Sequence, residues 1–292
     1  MAQMIFNPGQ FTAPKAKPLP IILLLDTSGS MNTVTNPEDV RRTGRRGVDD
    51  GCTVEYVENG IARIDVLNKA VKKMVRTFAQ YERNETEFLV AIITFGEDTR
   101  LVLPPSPASD VRFTNLEANG NTPLGEGLSI AKKLIEDKNQ IPSRSYRPLI
   151  ILVSDGEPDE GWQTPFDDFT QNGRSAKCDR MALAIGNDAN RTMLSKFIEG
   201  TGHDVFEAEN AEEITNFFKF ATMSVVTRTL SSNPDIVPKD AEVKEPPRLA
   251  RKPGKPEPIG TEQAASNKQE SPASHDDDDD DDDDGYFFVR KK

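Results

Sequence analysis

Long aliphatic runs alternate with amphipathic stretches over the first 230 positions of the chain. Ile21–Leu25, Phe88–Phe95 and Leu149–Val153 are almost uninterrupted apolar runs, and such runs are typical of strands buried on both faces of a parallel sheet. Apolar residues recur about every 3.6 positions in 61–81 and again in 211–230, which predicts two amphipathic helices.

The order of these segments predicts an α/β fold. A further helix is expected over 122–138, with Pro123 near its first turn, and a further strand over 180–186. Thr99–Leu103 follows a turn at Gly96 and reads as a short antiparallel edge strand, and Asp204–Phe206 reads as a final edge strand. Strands alternating with helices give a doubly wound, Rossmann-like sheet, mostly parallel, with helices on both faces.

Composition divides the chain into four parts. Residues 1–17 predict a flexible arm and 18–230 the folded domain, with an insertion at 31–59. Residues 231–274 are rich in Pro, Lys, Glu and Ser and lack aromatic residues, so we expect a disordered linker. Residues 275–292 form an acidic tail that ends in aromatic and basic residues.

The insertion follows a cluster of polar residues and therefore has to lie beside it. Thr53–Val57 alternates in polarity and ends at Asn59-Gly60, a hairpin turn signal. Its four arginines could bind an acidic partner or could simply be solvated charges, and the sequence leaves both readings open. These arginines are Arg41, Arg42, Arg45 and Arg46.

The polar cluster itself begins where the first aliphatic run ends. Asp26, Ser28 and Ser30 follow that strand, and Gly29 permits a sharp turn that points them at one place. A carboxylate and two hydroxyls at the carboxyl end of a parallel strand suit a hard cation such as Mg²⁺. An ordinary turn with a helix cap would also contain these residue types.

Two distant segments favour a metal site over an ordinary turn, because together with the first cluster they resemble a known family. Thr122 lies in a Gly- and Pro-containing loop, and Asp155-Gly156 ends the aliphatic run Leu149–Val153. Asp26-x-Ser28-x-Ser30 with Thr122 and Asp155 resembles the metal-ion-dependent adhesion site (MIDAS) of von Willebrand factor A (vWA) domains. The resemblance implies that the three hydroxyls bind Mg²⁺, or Mn²⁺ or Ca²⁺, directly, whereas the aspartates hold coordinated water. A partner protein's carboxylate would supply the missing ligand.

Within that family the chain resembles one bacterial group. The pattern D-G-x-P-x-x-x-W at 155–162 is similar to the TerY/YegL proteins of tellurium-resistance operons. This likeness implies company with a Ser/Thr kinase and a metal-dependent protein phosphatase, in a stress-response or defence setting. The insertion departs from the pattern, and two cysteines cannot form the four-cysteine zinc ribbon of some members.

Charge and cysteine content narrow the setting further. The chain of 292 residues has a formal charge of −12, which argues against nucleic acid as the main partner. Cys52 and Cys178 are too few for a disulfide framework, and neither a signal peptide nor a membrane-length apolar run is visible. We therefore expect a cytoplasmic protein.

These features predict a metal-dependent adaptor or scaffold that is not an enzyme. A vWA subunit of an AAA+ chelatase-like machine is an alternative, and a Mg²⁺-dependent phosphohydrolase is a weaker one. Hydroxyl ligands dominate the site, and His203 is expected on the surface, away from any role as a base. Trp162 follows the acidic loop and could be an interface anchor or a packing residue.

The tail suggests docking. Nine aspartates, Asp276–Asp284, precede Tyr286, Phe287, Phe288 and Val289. A tail that only aids solubility has no need of this aromatic end, so we expect a peptide that binds a basic or grooved protein surface, such as a sheet edge. A tail aspartate could instead cap the metal of its own or another copy.

Overall fold

The computed structural model describes residues 16–49, 52–82, 86–231, 235 and 287–290. Most of the predicted N-terminal arm, most of the predicted linker and the whole aspartate run lie outside the described residues. The strands are β1 (Lys17–Thr27), β2 (Arg41–Asp49), β3 (Cys52–Glu58), β4 (Thr86–Gly96), β5 (Arg100–Pro107), β6 (Leu149–Ser154), β7 (Asp179–Ile185), β8 (Phe206–Ala208) and β9 (Phe287–Arg290). The helices are α1 (Arg63–Tyr81), α2 (Leu124–Glu136), α3 (Gln163–Gln171), α4 (Arg191–Phe197) and α5 (Ala211–Leu230).

A six-stranded sheet forms the centre of the domain. Its order is β5-β4-β1-β6-β7-β8, and only β5 runs antiparallel to its neighbour β4. This is the predicted α/β fold, with one antiparallel edge strand. Because the chain passes from β1 to β4 on one side and later returns to β6 on the other, the strand order reverses at β1. Ligand sites in open α/β sheets lie at such a reversal.

Residues of β1 alternate between two cores, which explains the uninterrupted apolar run. Ile21, Leu23 and Leu25 pack in one core with α1 and α5. Ile22 and Leu24 pack in the other core with α2, α3 and α4. Burial on both faces therefore fixes β1 in the middle of the sheet, and its carboxyl end is held in a defined position.

The insertion and the end of the tail form a second, smaller sheet. Its order is β2-β3-β9, with antiparallel pairing throughout. The predicted hairpin exists, but Asn59-Gly60 does not join its strands: the partner of β3 is β2, which precedes it, and Asn59 leads toward α1 with a φ of 60°. The four arginines of the insertion lie on β2 and are exposed.

A buried group of charges stabilises the side of the sheet opposite the polar cluster. Arg228 of α5 is 1% exposed; its guanidinium donates to the carbonyl of Arg147 at 3.0 Å and lies 3.9 Å from the Asp179 carboxylate. His203 Nε2 lies 3.5 Å from the same carboxylate. The expectation of a surface His203 is therefore wrong, because pairing with Asp179 permits its burial.

One smaller difference from the sequence-based expectation concerns a helix. Helix α3 follows the acidic loop, where no helix was expected. Little in the sequence indicated it, because its buried apolar residues are Phe166 and Phe169 alone. No helix in the described part of the chain combines the length and the apolar character that crossing a membrane requires.

Replacing Arg228 with Ala should lower the free energy of unfolding by about 3–5 kcal/mol, because it leaves the Asp179 carboxylate buried without its cationic neighbour. The matched control is Arg100→Ala, which breaks an exposed pair with Asp98 and should cost about 1 kcal/mol or less. Urea denaturation monitored by circular dichroism measures both. Equal losses for the two variants would contradict this role of Arg228.

Candidate metal centre

Four of the five predicted site residues are joined by hydrogen bonds between their side chains. Ser28 Oγ donates to Asp26 Oδ1 at 2.5 Å and lies 2.9 Å from Ser30 Oγ. Ser30 Oγ donates in turn to Asp155 Oδ1 at 2.5 Å. The backbone N–H of Ser28 also donates to Asp26 Oδ1, at 2.9 Å. The carboxyl ends of β1 and β6, adjacent in the sheet, thus share one polar cluster.

Thr122, the fifth predicted residue, lies at the same place. A Cβ atom added to Gly156 would lie 3.9 Å from both Ser30 Oγ and Thr122 Oγ1. The Thr122 loop is fixed by Asp159, whose carboxylate accepts the Thr122 N–H at 3.1 Å and whose own N–H donates to the Thr122 carbonyl at 2.9 Å. The predicted oxygen ligands therefore come from three separated segments and face one small region.

Backbone contacts between the loops hold this arrangement. The N–H of Gly29 donates to the carbonyl of Gly120 at 2.9 Å, and the N–H of Asn119 donates to the carbonyl of Thr27 at 2.8 Å. Gly120 has a φ of 78°, and a Cβ at this position would lie 2.6 Å from the backbone of Glu97. Only glycine combines this backbone conformation with such a close approach.

The two carboxylates are deeply buried and close together. Asp26 and Asp155 are both 0% exposed. Burial, together with repulsion from Asp155, raises the pKa of Asp26 to about 7, and hydrogen bonds from Ser28 and Ser154 oppose that rise. Part of the negative charge at the site is therefore poorly compensated by the protein.

Two compensating residues were not predicted from the sequence. Ser154 Oγ donates to Asp26 Oδ2 at 2.8 Å, and the Arg63 guanidinium donates to Asp155 Oδ2 at 2.7 Å. Ser154 is the last residue of β6 and directly precedes Asp155, so its position in the sequence could have identified it as a neighbour of the site. Arg63 begins α1, 92 positions away from Asp155, and nothing in the sequence connects the two residues.

The residues present fit a hard divalent cation. Two carboxylates and three hydroxyls, all at most 6% exposed, supply the oxygen ligands that Mg²⁺, Mn²⁺ and Ca²⁺ accept. In the described residues no group of three or more His, Cys, Asp and Glu side chains could hold a metal. That result does not oppose this site, because most of its candidate ligands are hydroxyl groups.

Two other candidate residues contact the core. Trp162 is partly buried and packs edge-on against Phe166, with ring centroids 5.1 Å apart. Cys178 is buried in the core on that face, and burial raises the pKa of its thiol to about 12. A protonated, buried thiol is a poor nucleophile.

Comparison with known proteins supports the vWA assignment. Residues 21–157 match the model of the von Willebrand factor type A domain family, and this segment contains all five predicted site residues. The Mycobacterium tuberculosis uncharacterized protein Rv2850c is 29% identical over 134 residues, which cover 43% of this chain and 20% of that protein. Human inter-alpha-trypsin inhibitor heavy chain H6 is 36% identical over 88 residues, which cover 28% of this chain and 7% of that protein. The matched part of the chain thus spans a fifth or less of these relatives.

Solved structures show weaker likenesses. A von Willebrand factor type A structure from Catenulispora acidiphila has a TM-score of 0.48 and 17% identity, covering 72% of this chain and 42% of that one. Proximal thread matrix protein 1 from the mussel byssus, with a zinc-occupied MIDAS motif, has a TM-score of 0.47 and 15% identity, covering 72% and 48%. These values establish no likeness of function.

The buried Asp26 carboxylate should make the metal-free protein less stable as pH rises. Its folded-state pKa of about 7 lies above the ordinary value of 3.8, so the stability present at low pH is lost as pH rises toward 7. Asp26→Asn removes this loss. In EDTA, its free energy of unfolding relative to wild type should increase by about 2–3 kcal/mol between pH 5 and pH 8.

Urea denaturation at the two pH values measures this increase. The control is Asp98→Asn, because the side chain of Asp98 is 77% exposed and its replacement should give the same small difference at both pH values. A difference between Asp26→Asn and wild type that stays constant or shrinks with pH would show that Asp26 is not held in a destabilising environment.

Proposed function

Because the central sheet and its connections form a vWA fold, we propose that this protein is a metal-dependent protein-interaction module. In this proposal Asp26, Ser28, Ser30, Thr122 and Asp155 hold Mg²⁺, with Mn²⁺ or Ca²⁺ as substitutes, and a partner protein supplies an aspartate or glutamate. The observation that carries the proposal is the series of close oxygen contacts from Asp26 through the two serines to Asp155.

The chain's own residues prepare this site in three ways. The two serines donate their protons to Asp26 and Asp155, which leaves the hydroxyl lone pairs available as ligands. Ser154 and Arg63 orient the carboxylates from behind. Main-chain hydrogen bonds from Gly29 to Gly120 and from Asn119 to Thr27 hold the loop that follows β1 against the loop that contains Thr122. When bound, the cation would supply an open coordination position that accepts an external carboxylate.

We further propose a role that does not involve catalysis. His203 and Cys178 are the histidine and the cysteine whose side chains the structure describes. His203 pairs with Asp179 and Cys178 lies in the core, so neither is part of the site. The candidate ligands are mainly neutral hydroxyls, which favour binding of a carboxylate over activation of a phosphoester.

The biological setting is proposed from sequence likeness alone. The D-G-x-P-x-x-x-W pattern at 155–162 supports a place in the TerY/YegL group. That place would give the module a Ser/Thr kinase or a metal-dependent protein phosphatase as partner, in a cytoplasmic stress-response or defence system.

Replacing Thr122 with Ala should weaken metal binding about 10- to 100-fold, the range in which loss of supporting contacts lowers metal affinity in proteins. Titration with Mn²⁺, followed by electron paramagnetic resonance, measures the dissociation constant directly. Thr170→Ala is the control, because Thr170 donates only to main-chain carbonyls of its own helix. If Thr122→Ala binds Mn²⁺ as tightly as the control, Thr122 is not a ligand.

Partner binding should depend on both the metal and Asp26. In an affinity pull-down, partners retained by wild type in Mg²⁺ should be lost in EDTA and also lost with Asp26→Ala, because each change removes the bound cation. Partners that persist in EDTA would contradict the metal-dependent mechanism. An AAA+ ATPase among the lost partners would point to a chelatase-like machine, and phosphatase turnover abolished by Asp26→Ala would point to an enzyme.

A further inference from the structure

The C-terminal strand β9 is bound on two sides. On one side it pairs antiparallel with β3, with Phe288 opposite Tyr56 and Phe287 opposite Val57. On the other side the carbonyl of Phe288 accepts the N–H of Val34 at 3.1 Å, and a parallel bridge joins Phe288 to Thr33. The four residues of β9 therefore complete a small sheet that begins in the insertion.

β9 packs two aromatic side chains, Phe287 and Phe288, against the domain. Phe288 is 5% exposed, and Phe287 packs against the core that contains α1. A Cβ added to Gly60 would lie 2.4 Å from Val34 Cγ1 and 3.3 Å from Phe287 Cβ, so only glycine leaves room for this contact. Main-chain pairing combined with pockets for individual side chains is how sheet edges bind extended peptides.

A short path connects β9 to the candidate metal centre. Thr33, which bridges to Phe288, donates its N–H to the carbonyl of Ser30 at 2.9 Å. Its carbonyl accepts the N–H of Arg63 at 3.0 Å, and the Arg63 guanidinium pairs with Asp155. Removing β9 therefore removes one support of the segment that positions one candidate ligand and the counter-charge of another, beside the bridge of Val34 to Ala62.

The connection of β9 to the domain permits its release without unfolding the central sheet. Residues 231–286 separate the end of α5 from β9, and among the described strands no pair of the central sheet includes β9. Covalent attachment also makes binding of the strand to its own site an intramolecular event, so the strand competes with a free peptide without depending on protein concentration. The resident strand should therefore exclude a free peptide of the same sequence.

We propose that the edge of β3 and Val34 form a docking site for an extended aromatic peptide, that the chain's own C-terminus is its resident and releasable occupant, and that this occupancy supports the metal centre. The last part rests on the proposed function, whereas the docking site does not. Capture of the aromatic terminus by another protein would then open the edge and loosen the loop that contains Ser30.

Peptide binding in EDTA tests docking without any metal. The probe is a fluorescein-labelled peptide with the sequence of residues 285–292, and fluorescence anisotropy measures its binding. A chain that ends at Gly285 should bind this peptide at least about tenfold more tightly than the full chain, whose resident strand competes. A peptide with Phe288→Asp should not bind. Equal binding by the two chains, or binding by neither, would overturn the proposal.

Full-length variants cover the case in which the shortened chain does not fold. Phe288→Asp in the full chain should vacate the site and admit the wild-type peptide, whereas Gly285→Asp, which adds the same single negative charge outside β9, should not. Circular dichroism confirms that both variants are folded. If Phe288→Asp excludes the peptide as wild type does, the strand is not the resident occupant.

Mn²⁺ titration of the same variants tests the coupling. Phe288→Asp should bind Mn²⁺ about three- to tenfold more weakly than wild type, a coupling of ordinary size between two sites, and added wild-type peptide should restore the affinity. Unchanged Mn²⁺ affinity in Phe288→Asp would refute the coupling. Peptide binding in EDTA would then remain the test of the docking site. Failure of every chain, wild type included, to bind Mn²⁺ would refute the proposed metal site and with it the coupling.

Discussion

Two carboxylates buried close together at the carboxyl ends of the central strands β1 and β6 are the constraint around which this domain is arranged. Asp26 and Asp155 are fully buried, and an isolated charge in such a place is strongly unfavourable. Asp26 accepts hydrogen bonds from the hydroxyls of Ser28 and Ser154. Asp155 accepts one from the hydroxyl of Ser30 and one from the guanidinium of Arg63. The raised pKa of Asp26 shows that this compensation is incomplete, and a divalent cation is the group that would complete it.

The topology makes this concentration of charge possible. β1 is buried on both faces and is flanked by β4 and β6, so its carboxyl end is rigid and lies beside the end of β6. The loop after β1 is joined to the 119–122 loop by main-chain hydrogen bonds from Gly29 to Gly120 and from Asn119 to Thr27. The strand ends and the main-chain contacts between the loops therefore bring the oxygen atoms of the site together, and such positioning favours selective binding of a small cation.

The sequence predicted the features that depend on local pattern. Aliphatic runs identified the strands, and the resemblance to the vWA metal site predicted that Asp26 and Asp155 would lie at one place, where the structure links them through Ser28 and Ser30. Arg63 and the pairing of β9 with β3 were not predictable in this way, because each depends on a contact between segments far apart in the chain. His203 was misplaced for the same reason: a histidine beside Asp179 is stable in the interior, and no local pattern shows that neighbour.

A crystal structure of the full chain grown with Mn²⁺ and measured at the manganese absorption edge tests the central claim most directly. The account predicts one strong anomalous peak within bonding distance of Ser28, Ser30 and Thr122, with Asp26 and Asp155 in the surrounding hydrogen-bond shell. An absence of anomalous signal at these residues, in crystals that contain the metal, would show that the buried carboxylates are balanced without a cation and would contradict the account.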